Sequence, residues 1–172
     1  LTLPILNEEG QQQVIMSSSG PVVEHDAALL TLPCLFDAQS GKTPDAVALI
    51  YEDQHLSYGD LASRSNQLAR YLIERGVGPD AVVAILLDRS FEMIVAMLGV
   101  LKAGGAYLPL DPEYPAQRLS FMIGDSGAVF VISDGALYAG LDTQDAVLPP
   151  QIDVYDKGLI KSLQSLPDGV IA

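Results

Sequence analysis

The sequence predicts an α/β fold: a partial, doubly wound, mostly parallel sheet with flanking helices. Three observations carry that expectation. Residues 81–87 (AVVAILL) form an unbroken apolar run, as a strand buried on both faces requires. Strand-length apolar segments then alternate with helix-length ones through short Gly- and Pro-marked loops, which implies parallel strands joined by right-handed crossovers. Finally, 49% of the 172 residues are apolar and only 18% charged, which argues against intrinsic disorder and for an ordinary buried core.

Residues 1–33 read as an interdomain linker. They carry Asn7-Glu8-Glu9-Gly10, three consecutive glutamines and Ser17-Ser18-Ser19-Gly20-Pro21, which is loop chemistry. His25, between Glu24 and Asp26, reads as a solvated surface residue. Residues 35–39 open a short helix that Gly41 and Pro44 stop. Residues 46–51 form a strand, and residues 55–58 its hairpin partner across the polar turn 52–54. Ser57 and Asp60 make a capping box, so a helix follows with Leu61, Leu68, Leu72 and Ile73 on one face. Arg70 and Arg75 suit its C-terminal end, and Gly76-Val77-Gly78-Pro79 stops it.

After the strand at 81–87, Ser90 caps a helix running to about Ala103, apolar almost all round. Gly104-Gly105 ends it, and residues 106–110 make the next strand. Pro115 fits the first position of another helix, with Leu119, Met122 and Ile123 on its apolar stripe. Gly127 leads into a strand at 128–132. Beyond Gly135 the pattern weakens to a last strand at 152–155 and a short helix or loop at 157–166.

Charge excludes several function classes. Nine Lys+Arg against 22 Asp+Glu give a net charge of −13, which argues against nucleic acid and anionic membrane surfaces. The longest apolar stretch, 93–101, is nine residues, against roughly 18 or more for a spanning helix. No basic region precedes Lys42, so secretory and transit signals are not read and a cytoplasmic location is expected. Cys34, the one cysteine, offers neither a disulfide framework nor a zinc cluster and reads as a half-buried apolar residue. The chain begins Leu1-Thr2 without Met, and its mean hydropathy of +0.28 is high for so few charges. Both lead us to expect a piece of something larger, with exposed apolar surface meant for the remainder.

Ligands in open parallel sheets bind beyond the C-terminal strand ends, here Asp88-Arg89-Ser90, Asp111-Pro112-Glu113 and Ser133-Asp134. Asp88 and Asp111 could serve as acid/base or metal groups. Equally, Asp88 suits the start of the following helix, and Asp111 the turn before Pro112. Lys102-Ala103-Gly104-Gly105 follows a helix and opens a strand, the reverse of a phosphate loop, so it reads as a helix C-cap. The chain lacks GxxxxGK[ST], GxGxxG and GxSxG. No catalytic, cofactor-binding or metal-binding residue is assigned.

Three stretches carry a family resemblance. Leu56-Ser57-Tyr58-Gly59-Asp60-Leu61 resembles the first core motif of nonribosomal peptide synthetase adenylation domains, L-[TS]-Y-x-E-L, with Asp60 for the usual Glu. The eleven residues Leu101-Lys102-Ala103-Gly104-Gly105-Ala106-Tyr107-Leu108-Pro109-Leu110-Asp111 resemble the second almost letter for letter, and Pro112-Glu113-Tyr114-Pro115-Ala116-Gln117-Arg118-Leu119 continues it. Upstream, residues 35–39 and 43–48 look like the segment where a condensation–adenylation linker enters the adenylation domain.

The resemblance, clearest over 35–134, implies the N-terminal portion of the adenylate-forming enzyme fold over 34–172, following a linker from a condensation domain. It implies a parent that activates an amino acid with Mg-ATP to an aminoacyl-adenylate and loads it onto a carrier-domain phosphopantetheine thiol. Its partners would be the remainder of the adenylation domain and the condensation and carrier domains. The family's phosphate loop, Y-T-S-G-[ST]-T-G-x-P-K-G, does not occur in this sequence, so the chain alone is expected to be inactive. An acyl- or aryl-CoA ligase fragment and a non-enzymatic, flavodoxin-like interaction module are the alternative readings.

Overall fold

The structure, a computed structural model, describes Glu9, residues 12–14, 31–143 and 147–171. The chain divides into two units, 1–30 and 31–172. Within the first, residues 12–14 are helical, whereas His25 and the Ser17–Pro21 run lie outside the described residues.

The second unit opens with α1 (Leu32–Lys42), whose N-terminus Thr31 caps by accepting from the Cys34 N–H at 3.4 Å. This helix starts three residues before the expected position and passes through Gly41 to end at Lys42, with Thr43 as its C-cap. Thr31 and Pro33, an N-cap and an early-turn proline, are the start signals that the loop-like composition hid. Cys34 is exposed, not half-buried as expected, because it lies on the outer side of this first turn.

The hairpin of β1 (Val47–Tyr51) and β2 (Gln54–Ser57) is antiparallel, with Ile50 opposite His55. Tyr58 leaves the strand and begins α2 (Tyr58–Ile73). The serine half of the capping box forms, with Ser57 Oγ accepting from the Asp60 N–H at 3.1 Å, while Asp60 Oδ2 accepts from the Ser57 hydroxyl at 2.7 Å rather than from its backbone N–H. Ser57→Ala should cost about 1 kcal/mol. For a chain of this size that lowers the thermal midpoint by about 2–4 °C in a circular-dichroism melt. Leu61, Leu68 and Leu72 are buried, but Ile73 is 42% exposed. One residue beyond Leu72 is a rotation of about 100°, enough to leave the apolar face.

The main sheet is parallel, in the order β4-β3-β5-β6, formed by β3 (Val82–Leu86), β4 (Ala106–Leu110), β5 (Phe130–Ser133) and β6 (Gln151–Asp153). Helix α3 (Phe91–Lys102) joins β3 to β4, and α4 (Ala116–Asp125) carries the chain back across β3 to β5. Alternate residues of β3 face opposite layers. Val83, Ile85 and Leu87 pack with Ala96 and Val100 of α3 and with Leu68 and Leu72 of α2. Ala84 and Leu86 pack with Leu119 and Ile123 of α4. Helices on both faces make the sheet doubly wound, as expected from its unbroken apolar run.

The all-round apolarity of α3 has a cause. Its inner side meets the sheet, while Leu98, Ile94 and Phe91 meet Leu56 and Leu61 in a further cluster with the hairpin. The helix ends in a Schellman pattern, with Gly105 N–H donating to Val100 O and Gly104 N–H to Leu101 O, both at 3.0 Å. Gly104 has φ +82°, a left-handed conformation that disfavours a Cβ. The C-cap reading of these glycines holds.

Two short helices complete the unit. Asp134 caps α5 (Gly135–Ala139), and Asp156 caps α6 (Lys157–Gln164), which packs Leu159 and Leu163 towards the core. Apolar side chains do reach the surface, including Ile50 at 77% and Phe121 at 68% exposed.

Candidate functional site

The C-terminal ends of β3 and β5 border the point where successive connections leave in opposite directions, the usual crevice of such sheets. The residues singled out from sequence lie at the C-terminal ends of β3, β4 and β5. Ser90 caps α3 by accepting from the Met93 N–H at 3.2 Å, and its hydroxyl donates to Asp88 O at 3.0 Å. Asp111 Oδ1 accepts from the Glu113 N–H at 3.0 Å, making the turn before Pro112. Asp134 Oδ1 accepts from the N–H groups of Ala136 and Leu137 at 2.5 and 3.4 Å. Ser133 is buried and accepts from Gln151 Nε2 at 3.0 Å. Asp111 and Asp134 are thus engaged with backbone, whereas it is Ser90, not Asp88, that caps the helix.

Tyr155, beyond β6, joins this crevice. Burial pushes its phenol above the ordinary range, a hydrogen bond with Ser90 offsets part of that, and Glu92, Asp134 and Asp88 add to the rise. A groove of ≈ 940 Å³ continues over the ends of β3 and β4, bordered by Asp88, Arg89, Asp111 and Glu113. All four side chains are exposed, and three carboxylates against one guanidinium leave the groove net negative, which disfavours an anion. These residues therefore do not fit a triphosphate, and no adenylation step is derived through them. Among the described residues, no group of three or more His, Cys, Asp or Glu side chains could hold a metal ion.

A second polar cluster lies at the other end of α3. The Lys102 side chain is 2% exposed; its ammonium sits 2.7 Å from Asp37 Oδ1 and donates to Asn66 Oδ1 at 2.6 Å. The Phe36 ring centroid is 4.9 Å away. Burial holds the ammonium below its ordinary range, and Asp37 offsets part of that. This cluster ties α1, α2 and α3 together. Arg70, expected to serve the end of its own helix, instead donates to the carbonyls of Pro167, Gly169 and Val170 at 3.0–3.3 Å. Sequence reasoning missed both features. The usable signal was the polar stripe Ser63, Asn66, Gln67, Arg70, spaced i, i+3, i+4, i+7 along α2.

Comparison with known proteins completes the description. The family model described as AMP-binding enzyme matches residues 36–168. The chain belongs to the AMP-binding enzyme family. Tyrocidine synthase 2 of Brevibacillus parabrevis is 43% identical over 141 residues, covering 82% of this chain and 4% of that protein. Bacitracin synthase 3 of Bacillus licheniformis is 48% identical over 130 residues, covering 74% and 2%. Among solved structures, the nonribosomal peptide synthetase FmoA3 in its alpha-methyl-L-serine-AMP-bound form aligns with a TM-score of 0.76 at 26% identity, covering 94% of this chain and 17% of that one. This AMP-binding enzyme chain thus spans a few per cent of the curated relatives' length. The comparisons bear out the family resemblance and the adenylate-forming fold class. No helix among the described residues is long and apolar enough to cross a membrane.

Proposed function

We propose that residues 34–172 are the N-terminal part of a nonribosomal peptide synthetase adenylation domain and residues 1–33 the linker from a preceding condensation domain. The parent activates an amino acid with Mg-ATP, releases pyrophosphate, and loads the aminoacyl group onto a carrier-domain phosphopantetheine thiol in the cytoplasm. The observation that supports this reading best is identity of 43–48% to peptide synthetases across most of this chain. The strand-end geometry agrees with a scaffolding share of the work: Asp111 is engaged in a turn and Asp134 in a helix cap, and carboxylates outnumber the one guanidinium in the groove. Adenylation by this chain alone is accordingly not expected.

Two exchange assays test this. Amino-acid-dependent exchange between ATP and labelled pyrophosphate should be undetectable with this chain alone. Substituting residues 36–168 for the matching segment of tyrocidine synthase 2 should leave amino-acid-dependent exchange within about tenfold of that protein's own rate, since exchanging buried apolar side chains costs little when volume and pattern are kept. A folded chimera without exchange would overturn the assignment, and exchange by the isolated chain would overturn the inactivity.

A further inference from the structure

We propose that residues 166–171 act as a latch that walls the groove beside Lys102 and opens as a unit, making that amine a conditional site of modification. The latch belongs to neither a helix nor a strand, and α2 reads it mainly through its backbone. Gln67 Nε2 donates to Leu166 O at 3.2 Å, Asn66 Nδ2 to Asp168 O at 2.7 Å, and Arg70 to the three carbonyls already given. Ser63 Oγ adds a contact of 3.4 Å to Asp168 Oδ2.

The grip is strong in direction and weak in depth. Residues 167–170 are exposed, and only Ile171 packs against the core. Segments held chiefly by solvent-facing hydrogen bonds, with few buried apolar contacts, are those that open locally below the global unfolding free energy. Asn66 couples this segment to Lys102, because one amide donates to the latch and accepts from the ammonium. Beside it runs a groove of ≈ 700 Å³ whose lining includes Asp37, Lys102, Gly104, Val170 and Ile171. Lifting the latch removes the Val170–Ile171 wall of that groove and one partner of Asn66, which opens a path to the amine. The other lysines, Lys42, Lys157 and Lys161, are already exposed.

Amine labelling of the full 172-residue chain with the N-hydroxysuccinimide ester of acetic acid tests this. The neutral amine attacks the ester carbonyl, the amide C–N bond forms, N-hydroxysuccinimide leaves, and the amine's proton passes to buffer. Peptide mass spectrometry reads the rate at each lysine. Lys102 should react at least about tenfold more slowly than the three exposed lysines, because reaction waits on local opening. Arg70→Ala should raise the Lys102 rate about tenfold and leave the others unchanged, the effect of losing one charge-assisted interaction. Arg70→Lys, a point charge that cannot span three carbonyls, should fall between. Equal labelling of all four lysines in the wild type, or an unchanged Lys102 rate in Arg70→Ala, would overturn the latch. Amide hydrogen exchange of β3 checks the fold. If Arg70→Ala loses that protection, Gln67→Ala decides: a rise of about threefold at Lys102 alone supports the latch, and no rise overturns it.

Discussion

Asp37→Ala should destabilise the chain by about 3 kcal/mol, the low end of what breaking a buried pair costs. The reason is what it leaves behind. The Lys102 amine would be left in a side chain 2% exposed, with only the Asn66 amide oxygen and the face of Phe36 as company, whether it stays charged or gives up its proton. Asp37 itself is 18% exposed, so some water reaches the pair, and the low end of the range applies. Lys102→Met removes the charge together with its desolvation cost and keeps most of the stem volume, so it should change stability by less than about 1.5 kcal/mol. The double variant Asp37→Ala/Lys102→Met should then be more stable than Asp37→Ala alone. Urea unfolding monitored by tyrosine fluorescence gives the numbers, provided the slope against denaturant stays constant across the set. A loss below about 1 kcal/mol for Asp37→Ala is the value of an exposed pair and would show that water solvates the ammonium.

That pair also marks where sequence reading stops. Period and punctuation are local, and they placed β3, α3, β4 and α4 because each announces itself within a few residues: AVVAILL, Ser90, Gly104-Gly105, Pro115. The same locality explains the failures. Helix α5 is five residues long, too short for a period to show, and only Asp134 as its cap signals it. Ile73 misled because counting apolar residues along α2 ignores the rotation after Leu72. The contacts of Asp37, Asn66 and Arg70 reach 36 to 102 residues along the chain, so nothing near them in sequence names their partners. At the strand ends, residue type left Asp88 and Asp111 open between chemistry and architecture. At Asp111 the turn reading has its contact, because Oδ1 accepts from the Glu113 N–H.

Gly99→Val should destabilise by more than about 3 kcal/mol, beyond ordinary overpacking, because the space a side chain needs is already filled by one that cannot move. A Cβ on Gly99 would lie 2.8 Å from Leu68 Cδ2, 3.0 Å from its Cγ and 3.2 Å from its Cβ. Contacts of that length force α2 and α3 apart. Leu68 is 2% exposed and packs against the sheet layer, so it cannot swing clear without opening a void elsewhere. Gly99→Ala isolates the first methyl. It gains about 1 kcal/mol of helix propensity and loses about 1–3 kcal/mol to the clash, for a small net loss. Leu68→Ala supplies the complementary test, since alone it should cost about 2–5 kcal/mol by leaving a cavity. Together with Gly99→Val the two defects share one space, and the introduced branches occupy the room that Leu68 vacates. The double variant should be more stable than the sum of the singles by at least about 1 kcal/mol. Strict additivity in urea unfolding would mean that Gly99 is required for something other than the approach of α3 to Leu68. A helix interior that gives up propensity at this position is consistent with one demand, contact between two helices that carry the same face of the sheet.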